Sequence, residues 1–323
     1  MMQFAPAILT AIFLAVHAPG SSAQTYPAKP VRIVVTIAAG STADILARIV
    51  AEPLARQLGE SVLIENRPGA GGNIAGEYVA KQPADGYTLL LATISSHGIN
   101  PGMYRKMPYD AINDFAHVIA VASVPNVLIV SPRLSISSVG DLVRLAQSKP
   151  GELAFSSGGN GTSHHLGAEL FNSMAGIRML HVPFKGTPEA VTSVMRGETA
   201  IMFPNIPNAL ELVKDGRLKA LAVTSEKRLA SWPEMPTMIE LGFKGFELTA
   251  WYGIVAPAKT PVTTVARLNT EIQKALELPS VREALVKYGF EIMGGSADKF
   301  RAFNRGEIEK WGKVVRASGA TVN

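Results

Sequence analysis

The segment SSGGNGTSHHLG, residues 156–167, gathers hydroxyl, carboxamide, imidazole and glycine residues between an apolar run and a helical pattern. These residue types serve in catalytic loops, in metal sites and in loops that bind anions through backbone amides. His164 and His165 are adjacent, so on a helix their side chains diverge by about 100° and cannot easily bind one metal ion. The other histidines are scattered along the chain, and no cysteine is present. We therefore expect no metal and no cofactor.

Nucleophilic catalysis also finds little support in the sequence. Ser163 and His164 are neighbours, which is poor geometry for a Ser–His pair. The chain has no G-x-S-x-G elbow and no G-x-x-x-x-G-K-[ST] phosphate loop. The stretch GAGGNIAG, residues 69–76, resembles a dinucleotide fingerprint, but Ile74 stands where the last glycine is required. We expect a protein that is not an enzyme, and an exported α/β hydrolase stays open as an alternative.

Four segments with the composition of strand-to-helix turns remain as candidates for binding. They are rich in Gly, Ser and Thr and cover residues 38–44, 93–100, 156–165 and 184–190. Ligands gather at the carboxyl ends of parallel strands, and helix N-termini bind anions through free backbone amides and a partial positive charge. Lys185 is the only Lys or Arg in these segments. This favours a carboxylate held by amides and hydroxyls over a phosphate held by arginines.

The elements that would position these turns alternate between strands and helices. Runs rich in β-branched and aliphatic residues, such as 31–39 and 87–93, predict buried strands. Amphipathic patterns such as residues 42–59 predict helices, with a kink or break at Pro53. The alternation restarts near residue 126, so we expect an α/β chain with two lobes built on parallel sheets.

Two strands are expected to cross between the lobes, near residues 126–131 and 251–255. Lobe 1 would contain residues 24–125 and 252–323, and lobe 2 would contain residues 126–251, inserted between them. Two crossing strands form a hinge of the kind that lets two domains close around a ligand. Each lobe would contribute two of the four turns to the cleft.

Composition and charge exclude several classes of protein. Of the 323 residues, 47% are hydrophobic and 18% are charged, as in a globular protein with a core. The net charge of +5 comes from scattered Lys and Arg, so nucleic acid is not an expected partner. Residues 4–16 form a short apolar stretch followed by small residues, which is typical of a secretory signal cleaved after Ala23. We therefore expect residues 1–23 to be a signal peptide and the mature protein to be exported.

Long stretches of the chain also carry a family likeness. Among them are YPAKPVRIVVTIAAGSTAD, VLIENRPGAGGNIAGEYVAKQPADGYTLLLAT, FSSGGNGTSHHLGAELF, HVPFKGTPEAV and WYGIVAPAKTP. Together they resemble the Bug family, the extracytoplasmic solute receptors of tripartite tricarboxylate transporters, also called TctC-like proteins. The resemblance runs from about Tyr26 to the C-terminus, and its most specific stretches lie around residues 66–72, 85–87 and 157–162.

The resemblance implies a periplasmic-binding-protein fold of type II, whose two lobes close like a Venus flytrap about two crossing strands. It implies a periplasmic, monomeric receptor that captures a small organic carboxylate, either a di- or tricarboxylate or an aromatic or heterocyclic acid. The receptor would deliver this ligand to the membrane permease subunits of a tripartite tricarboxylate transporter. An exported ligand sensor for a signalling partner uses the same fold and stays open as an alternative.

The resemblance also implies a set of ligand-binding residues in the loops at the cleft. From lobe 1 they are Ala38, Gly40, Ser41, Thr42, Asp44, Thr93 and Ser95. From lobe 2 they are Asn126, Ser157, Gly158, Thr162, Ser163, His164, Lys185, Gly186, Thr187 and Asn205.

The chain departs from the family pattern at three places in these loops. It has Thr36-Ile37 where Pro-Phe is usual and Gly40-Ser41 where a glycine pair is usual, so an extra hydroxyl could add a hydrogen bond or narrow the cleft. It also has Pro204 where an acidic residue often stands in relatives. Because the ammonium group of an amino acid needs an acceptor, an amino-acid ligand becomes less expected.

Overall fold

The computed structural model of the chain describes Met1 and residues 26–318. Apart from Met1, the expected signal peptide of residues 1–23 lies outside the described residues. In the described part, eleven strands and ten α-helices follow one another along the chain. No helix within this part is long and apolar enough to cross a membrane.

The strands and helices have the following bounds. The strands are β1 Val31–Val35, β2 Val62–Asn66, β3 Thr88–Thr93, β4 Phe115–Pro125, β5 Val127–Val130, β6 Ala154–Ser157, β7 Leu180–Pro183, β8 Ile201–Met202, β9 Lys219–Val223, β10 Thr249–Pro257 and β11 Glu291–Gly294. The α-helices are α1 Thr42–Leu58, α2 Asn73–Ala80, α3 Asn100–Met103, α4 Val139–Ser148, α5 Ser163–Ala175, α6 Thr187–Arg196, α7 Leu210–Lys214, α8 Val262–Glu277, α9 Pro279–Lys287 and α10 Ala297–Ser318. Short 3₁₀ turns cover Ala70–Gly72 and Ile206–Asn208, and a π-helix covers Ile94–Ile99.

The strands form two sheets, one in each lobe of a two-lobed α/β fold. The sheet of lobe 1 has the order β11-β4-β10-β3-β1-β2, and the sheet of lobe 2 has the order β7-β6-β8-β5-β9. The strand-to-helix units pair in parallel, β1 with β2 and β3, and β6 with β7 and β8. The sequence predicted this parallel part but not the antiparallel pairs, in which β10 joins β3 and β4, and β5 joins β8 and β9. Strands β5 and β10 enter their sheets from the other lobe and therefore run antiparallel to both of their neighbours.

The chain passes between the lobes at two adjacent points. Asn126 separates β4 from β5, and Leu248 precedes β10. Thr224 joins the two crossings: its hydroxyl accepts from the Asn126 amide at 2.8 Å and donates to the Leu248 carbonyl at 2.6 Å. Residues 249–251 pair with β4, so strand pairing places the second crossing slightly earlier than the expected boundary after residue 251. The assignment of residues to two separate domains stays a prediction.

Helix α1 follows β1 directly and positions the first turn of the cleft. Of the kink or break expected at Pro53, a break does not occur: the helix continues to Leu58 and ends at Gly59, which has a left-handed φ of 76°. A proline inside a helix costs about 3 kcal/mol. Burial of Leu46 and Leu54, both completely inaccessible, contributes about 2 kcal/mol each and offsets that cost.

Candidate functional site

A cavity of about 250 Å³ lies between the two lobes, beside the carboxyl ends of β1, β3, β6 and β7. Lobe 1 contributes Thr36, Ile37, Pro68, Gly69, Ala70, Gly71, Gly72, Ser95 and Tyr104 to its lining. Lobe 2 contributes Gly158, Gly159, Asn160, Thr162, Phe184 and Lys185. The cavity therefore lies between the lobes and is lined by residues of three of the four predicted turns, 93–100, 156–165 and 184–190.

A larger groove of about 580 Å³ lies near the crossings and is lined by none of the four turns. Its buried floor is already hydrogen-bonded, because Glu307 accepts from the indole nitrogens of Trp251 and Trp311 at 2.8 and 2.9 Å. Lys310 lies 3.9 Å from both Glu247 and Glu307. The smaller cavity is therefore the candidate site.

Direct contacts close the cleft on the side of helix α1. The carboxamide oxygen of Asn208, in lobe 2, accepts hydrogen bonds from the Thr42 amide at 3.1 Å and from the Thr42 hydroxyl. The carboxamide nitrogen of Asn208 donates to the Gly40 carbonyl at 2.9 Å. A Cβ atom at Gly186 would lie 3.0 Å from the Cβ of Ala38 in the opposite lobe, so the backbones approach closely here.

The glycine-rich turn of lobe 1 forms a second line of contact across the cleft. A Cβ atom at Gly71 would lie 2.7 Å from the carbonyl oxygen of Asn160 in lobe 2. A Cβ atom at Gly161 would overlap the carboxamide oxygen of Asn100 in lobe 1. Gly71 and Gly161 have left-handed φ angles of 62° and 75°. Glycine at both positions thus allows the lobes to approach and encloses the cavity.

The backbone amides at the N-terminus of α1 are largely hydrogen-bonded to groups of the protein itself. Ser41, and not Thr42, caps the helix, since its hydroxyl accepts from the Asp44 amide at 3.3 Å. Asp44 accepts from the Gly40 amide at 3.0 Å and pairs with Arg48 at 3.0 Å. Burial opposes ionisation of Asp44, but the hydrogen bonds from Arg48 and Gly40 outweigh it and lower the pKa of this carboxyl. Ser41 and Asp44 therefore hold the turn in place.

The loop after β6 is tied to the histidine that follows in β7. The hydroxyl of Ser157 lies 2.6 Å from Nε2 of His181, and it also donates to the Gly159 carbonyl at 3.1 Å. The ring of His181 stacks on both Phe155 and His165, with the two imidazole centroids 4.0 Å apart. This is a Ser–His contact at a strand end, but Ser157 is completely buried, and no acidic side chain of the described chain contacts His181.

Helix α5 begins at the end of the same loop. The hydroxyl of Thr162 caps it by accepting from the His165 amide at 3.4 Å. His164 folds back so that its Nδ1 accepts from the Gly158 amide at 3.3 Å. A Cβ atom at Gly158 would lie 3.3 Å from that nitrogen and 3.3 Å from both the amide nitrogen and the hydroxyl of Thr187. The cavity wall at Gly158 is therefore polar on the lobe 2 side.

A buried hydrogen-bond network lies behind this wall and connects the lobes. Nε2 of His164 lies 3.4 Å from the carboxamide oxygen of Asn205, which also accepts from the Tyr252 hydroxyl at 3.2 Å. The carboxamide nitrogen of Asn205 donates to Asn126 at 3.0 Å, and Asn126 contacts the Ser163 hydroxyl at 3.5 Å. Burial lowers the pKa of His164 to about 4, so its ring is neutral at pH 7. The network therefore carries no charge.

The two remaining turns present hydroxyl and ammonium groups. Thr93 caps the π-helix and forms a capping box with Ser96, whereas Ser95 lines the cavity. Lys185 lines the cavity from lobe 2 and is the only charged residue among the described residues of the lining. Gly186 precedes helix α6, where Thr187 is the first helical residue. The structure thus gathers all four predicted turns around one cleft.

The expected residues fall into four groups in the structure. Ser95, Gly158, Thr162 and Lys185 line the cavity. Asn126, Ser163, His164 and Asn205 form the network behind it, with Thr187 beside Gly158. Ala38, Gly40, Thr42 and Gly186 lie at the lobe contact, and Ser41, Asp44, Thr93 and Ser157 bond within their own loops. Direct binding of a ligand by any of them stays a prediction.

Other residues of the site were missed. The turn at residues 68–72 was missed because its sequence was interpreted only as a possible dinucleotide-binding motif. Its glycines also indicate that the backbone can be approached closely. Tyr252 is buried in the core, and its hydroxyl also joins the network. Asn160 and Phe184 belong to the predicted turns at residues 156–165 and 184–190 but were not among the expected ligand-binding residues, whereas Asn208 and Tyr104 lie outside all four turns. Within the described residues, no three His, Asp or Glu side chains are grouped to hold a metal ion.

Comparisons with known proteins agree with this geometry. Residues 46–320 match the family model described as the tripartite tricarboxylate transporter family receptor. The chain is 37% identical to Protein BugT of Bordetella pertussis over 300 residues, which cover 93% of this chain and 92% of BugT.

Solved structures of similar proteins have the same fold. The R. palustris protein Rpa4515, solved with adipate, superposes with a TM-score of 0.88 at 38% identity, covering 91% of this chain and 98% of that one. MatC of Rhodopseudomonas palustris, solved with bound malate, superposes with a TM-score of 0.86 at 29% identity, covering 90% and 100% of the two chains. The chain described here is thus a member of the Bug, or TctC-like, family of periplasmic solute-binding receptors.

Proposed function

We propose that this receptor captures a small organic carboxylate in the cavity between its lobes and delivers it to the membrane permease subunits of a tripartite tricarboxylate-type transporter. The observation that carries the proposal is the polarity of the cavity wall. Lys185 is the only charged residue among its described lining residues, and none of them is Asp or Glu. Such a wall favours an anion and offers no counter-ion to an ammonium group.

Uncommitted hydrogen-bond donors support the same ligand class. The amide and hydroxyl of Thr187, beside Gly158, have no hydrogen-bond partner among the described residues, and the same holds for the Ser95 hydroxyl and the Lys185 ammonium. A carboxylate accepts such bonds through two oxygens, and charge-assisted hydrogen bonds are about twice as strong as neutral ones. We assign carboxylate contact to Lys185, Thr187 and the Gly158 wall. Thr42 instead acts through Asn208 to hold the lobes together.

Cavity size supports a small ligand. At about 30 Å³ for each water molecule in the liquid, 250 Å³ corresponds to about eight water molecules. This volume suits a ligand of roughly ten non-hydrogen atoms and is too small for a dinucleotide. Adipate and malate, found with the two R. palustris relatives, fall in this range.

Binding without catalysis fits the geometry of the serine and histidine residues. Ser157 is completely buried, and its hydroxyl is shared between His181 and Gly159. Acyl transfer requires a nucleophile within reach of the substrate and a base oriented by a third group. We therefore propose a receptor without enzymatic activity, exported by a signal peptide at residues 1–23.

The function can be tested on protein purified from the periplasm of an expressing bacterium. Native mass spectrometry should detect a co-purified acid, and isothermal titration of the ligand-free protein should show saturable binding of adipate, malate or a related acid. Dimethyl adipate and hexane-1,6-diamine are the controls, because they keep the chain but replace the carboxylates by esters or ammonium groups. Binding of the diamine or the diester in preference to every acid would contradict the proposal.

A further inference from the structure

One buried side chain in the cavity wall has no hydrogen-bond partner in the protein. Thr36 directly follows β1, its side chain is 1% exposed, and its hydroxyl oxygen is buried without any partner in the described chain. Buried hydroxyl groups are nearly always hydrogen-bonded, because leaving one unpaired destabilises the folded state. Thr36 is among the residues that line the cavity, so its unpaired hydroxyl lies in the wall that faces a ligand.

Packing around Thr36 accounts for its methyl group but not for its hydroxyl. A Cβ atom at Gly72 would lie 3.0 Å from the Cβ of Thr36 and 3.4 Å from its methyl carbon. Gly72, with a left-handed φ of 97°, therefore leaves room for this side chain. The nearby hydroxyl of Ser96 is committed to Thr93. Nothing in the described residues accepts the Thr36 proton.

Thr36 and Lys185 belong to opposite walls of the same cavity. Lys185 comes from lobe 2, whereas Thr36 comes from lobe 1, together with the partner-free hydroxyl of Ser95. A ligand between these walls meets a cation at one end and neutral hydroxyl donors at the other. The described lining residues include no Asp or Glu, so an ammonium group on the ligand would find no carboxylate partner there.

We propose that Thr36 is a specificity-determining residue, whose hydroxyl donates a hydrogen bond to an oxygen at the end of the ligand remote from Lys185. This inference rests on the proposed function and extends it. The ligand would be an acid that carries a second oxygen acceptor, either a carboxylate, a carbonyl or a hydroxyl, and no amine. A monoacid with an apolar tail would leave the Thr36 hydroxyl unpaired and would bind more weakly.

The test uses substitutions that separate the hydroxyl from the shape of the side chain. Thr36→Val keeps the β-branch and removes the hydroxyl, Thr36→Ser keeps the hydroxyl, and Thr192→Val is the control, because the Thr192 hydroxyl bonds to the Pro188 carbonyl away from the cavity. Isothermal titration would compare adipate with hexanoate, and succinate with butyrate. Each monoacid has a methyl group in place of one carboxylate.

We expect Thr36→Val to weaken binding of the tighter diacid by about tenfold or more and to leave binding of its monoacid unchanged. Thr36→Ser and Thr192→Val should bind the diacid as the wild type does. Equal loss for diacid and monoacid, or no loss for either, overturns the role of Thr36 while leaving the receptor function intact. Wild-type protein that binds none of these acids, and in which native mass spectrometry detects no co-purified acid, overturns the proposed function itself.

The ligand-free variants provide an independent measurement. Removing a hydroxyl that has no partner should leave the melting temperature of Thr36→Val at or above that of the wild type. A clear decrease would show that the protein itself uses this hydroxyl, and would overturn the inference even if the diacid bound less tightly.

Discussion

The carboxamide of Asn208 holds helix α1 of lobe 1 against lobe 2, and its removal should weaken ligand binding without removing any ligand contact. Asn208→Ala eliminates three hydrogen bonds across the cleft, two from Thr42 and one to Gly40. Asn208 does not line the cavity. Any effect on affinity must therefore arise from the equilibrium between open and closed forms.

The size of the effect follows from these contacts. A hydrogen bond contributes a net 0.5–1.5 kcal/mol, roughly, because water replaces the lost partner. The three bonds share one carboxamide, and their groups bond to water when the cleft opens, so their energies do not simply add. We therefore take about 2 kcal/mol as the free energy by which they favour the closed form. Since about 1.4 kcal/mol corresponds to a tenfold change, the ratio of closed to open protein should fall by about 30-fold. If the closed form is minor in the free protein, the apparent Kd rises by about the same factor.

Isothermal titration gives the change in Kd, and small-angle scattering of the ligand-free protein gives the fraction that is closed. Thr42→Val removes one of the donors from the other side, and the double variant completes a mutant cycle with Asn208→Ala. Asn113→Ala is the control, since Asn113 bonds to Asp110 and Arg301 within lobe 1. A Kd within about threefold of the wild type, or full additivity of the two substitutions, would refute the argument.

Three further predictions concern charge, backbone shape and acid stability. Lys185→Gln should weaken carboxylate binding about fivefold at low salt and less at high salt. Lys227→Gln, which lies outside the cavity lining, is the control and should not weaken it. Equal effects of the two substitutions in titration would contradict the contact between Lys185 and the carboxylate. Gly71→Ala and Gly59→Ala both place alanine at a left-handed φ, at a cost of about 1 kcal/mol. Only Gly71 faces the other lobe, so titration should show lower affinity for Gly71→Ala alone. Burial lowers the pKa of His164 to about 4. Unfolded protein takes up a proton there from about pH 6.5 downwards, so the free energy of unfolding should fall by up to about 1.4 kcal/mol per pH unit on acidification. Urea unfolding at about pH 7 and pH 5 should show a weaker pH dependence for His164→Gln than for the wild type.

The sequence predicted the local elements of the site better than their contacts. Its alternating pattern located β1, α1, β3 and the loop before α5, because strand and helix periodicity is set by neighbouring residues. The turn compositions at residues 38–44 and 156–165 also placed them correctly at the cleft.

Contacts between distant segments could not be predicted in this way. Asn208 meets Thr42 only because the lobes close, and this contact depends on how the two sheets are placed relative to each other. The hydroxyl of Ser157 looked free in the sequence, but it is used by His181, which lies in the next strand. The unpaired state of the Thr36 hydroxyl likewise depends on every atom around it.

Thr224 has a mechanical consequence for the whole receptor. The backbone and hydroxyl of Thr224 bond to both Asn126 and Leu248. We therefore expect the two connecting strands to rotate together about a common hinge axis. A single hinge axis leaves one main rotation of lobe 1 relative to lobe 2. Rotation of one connecting strand is therefore transmitted to the other. We expect scattering curves at partial saturation to be sums of two end states, with no third shape between them.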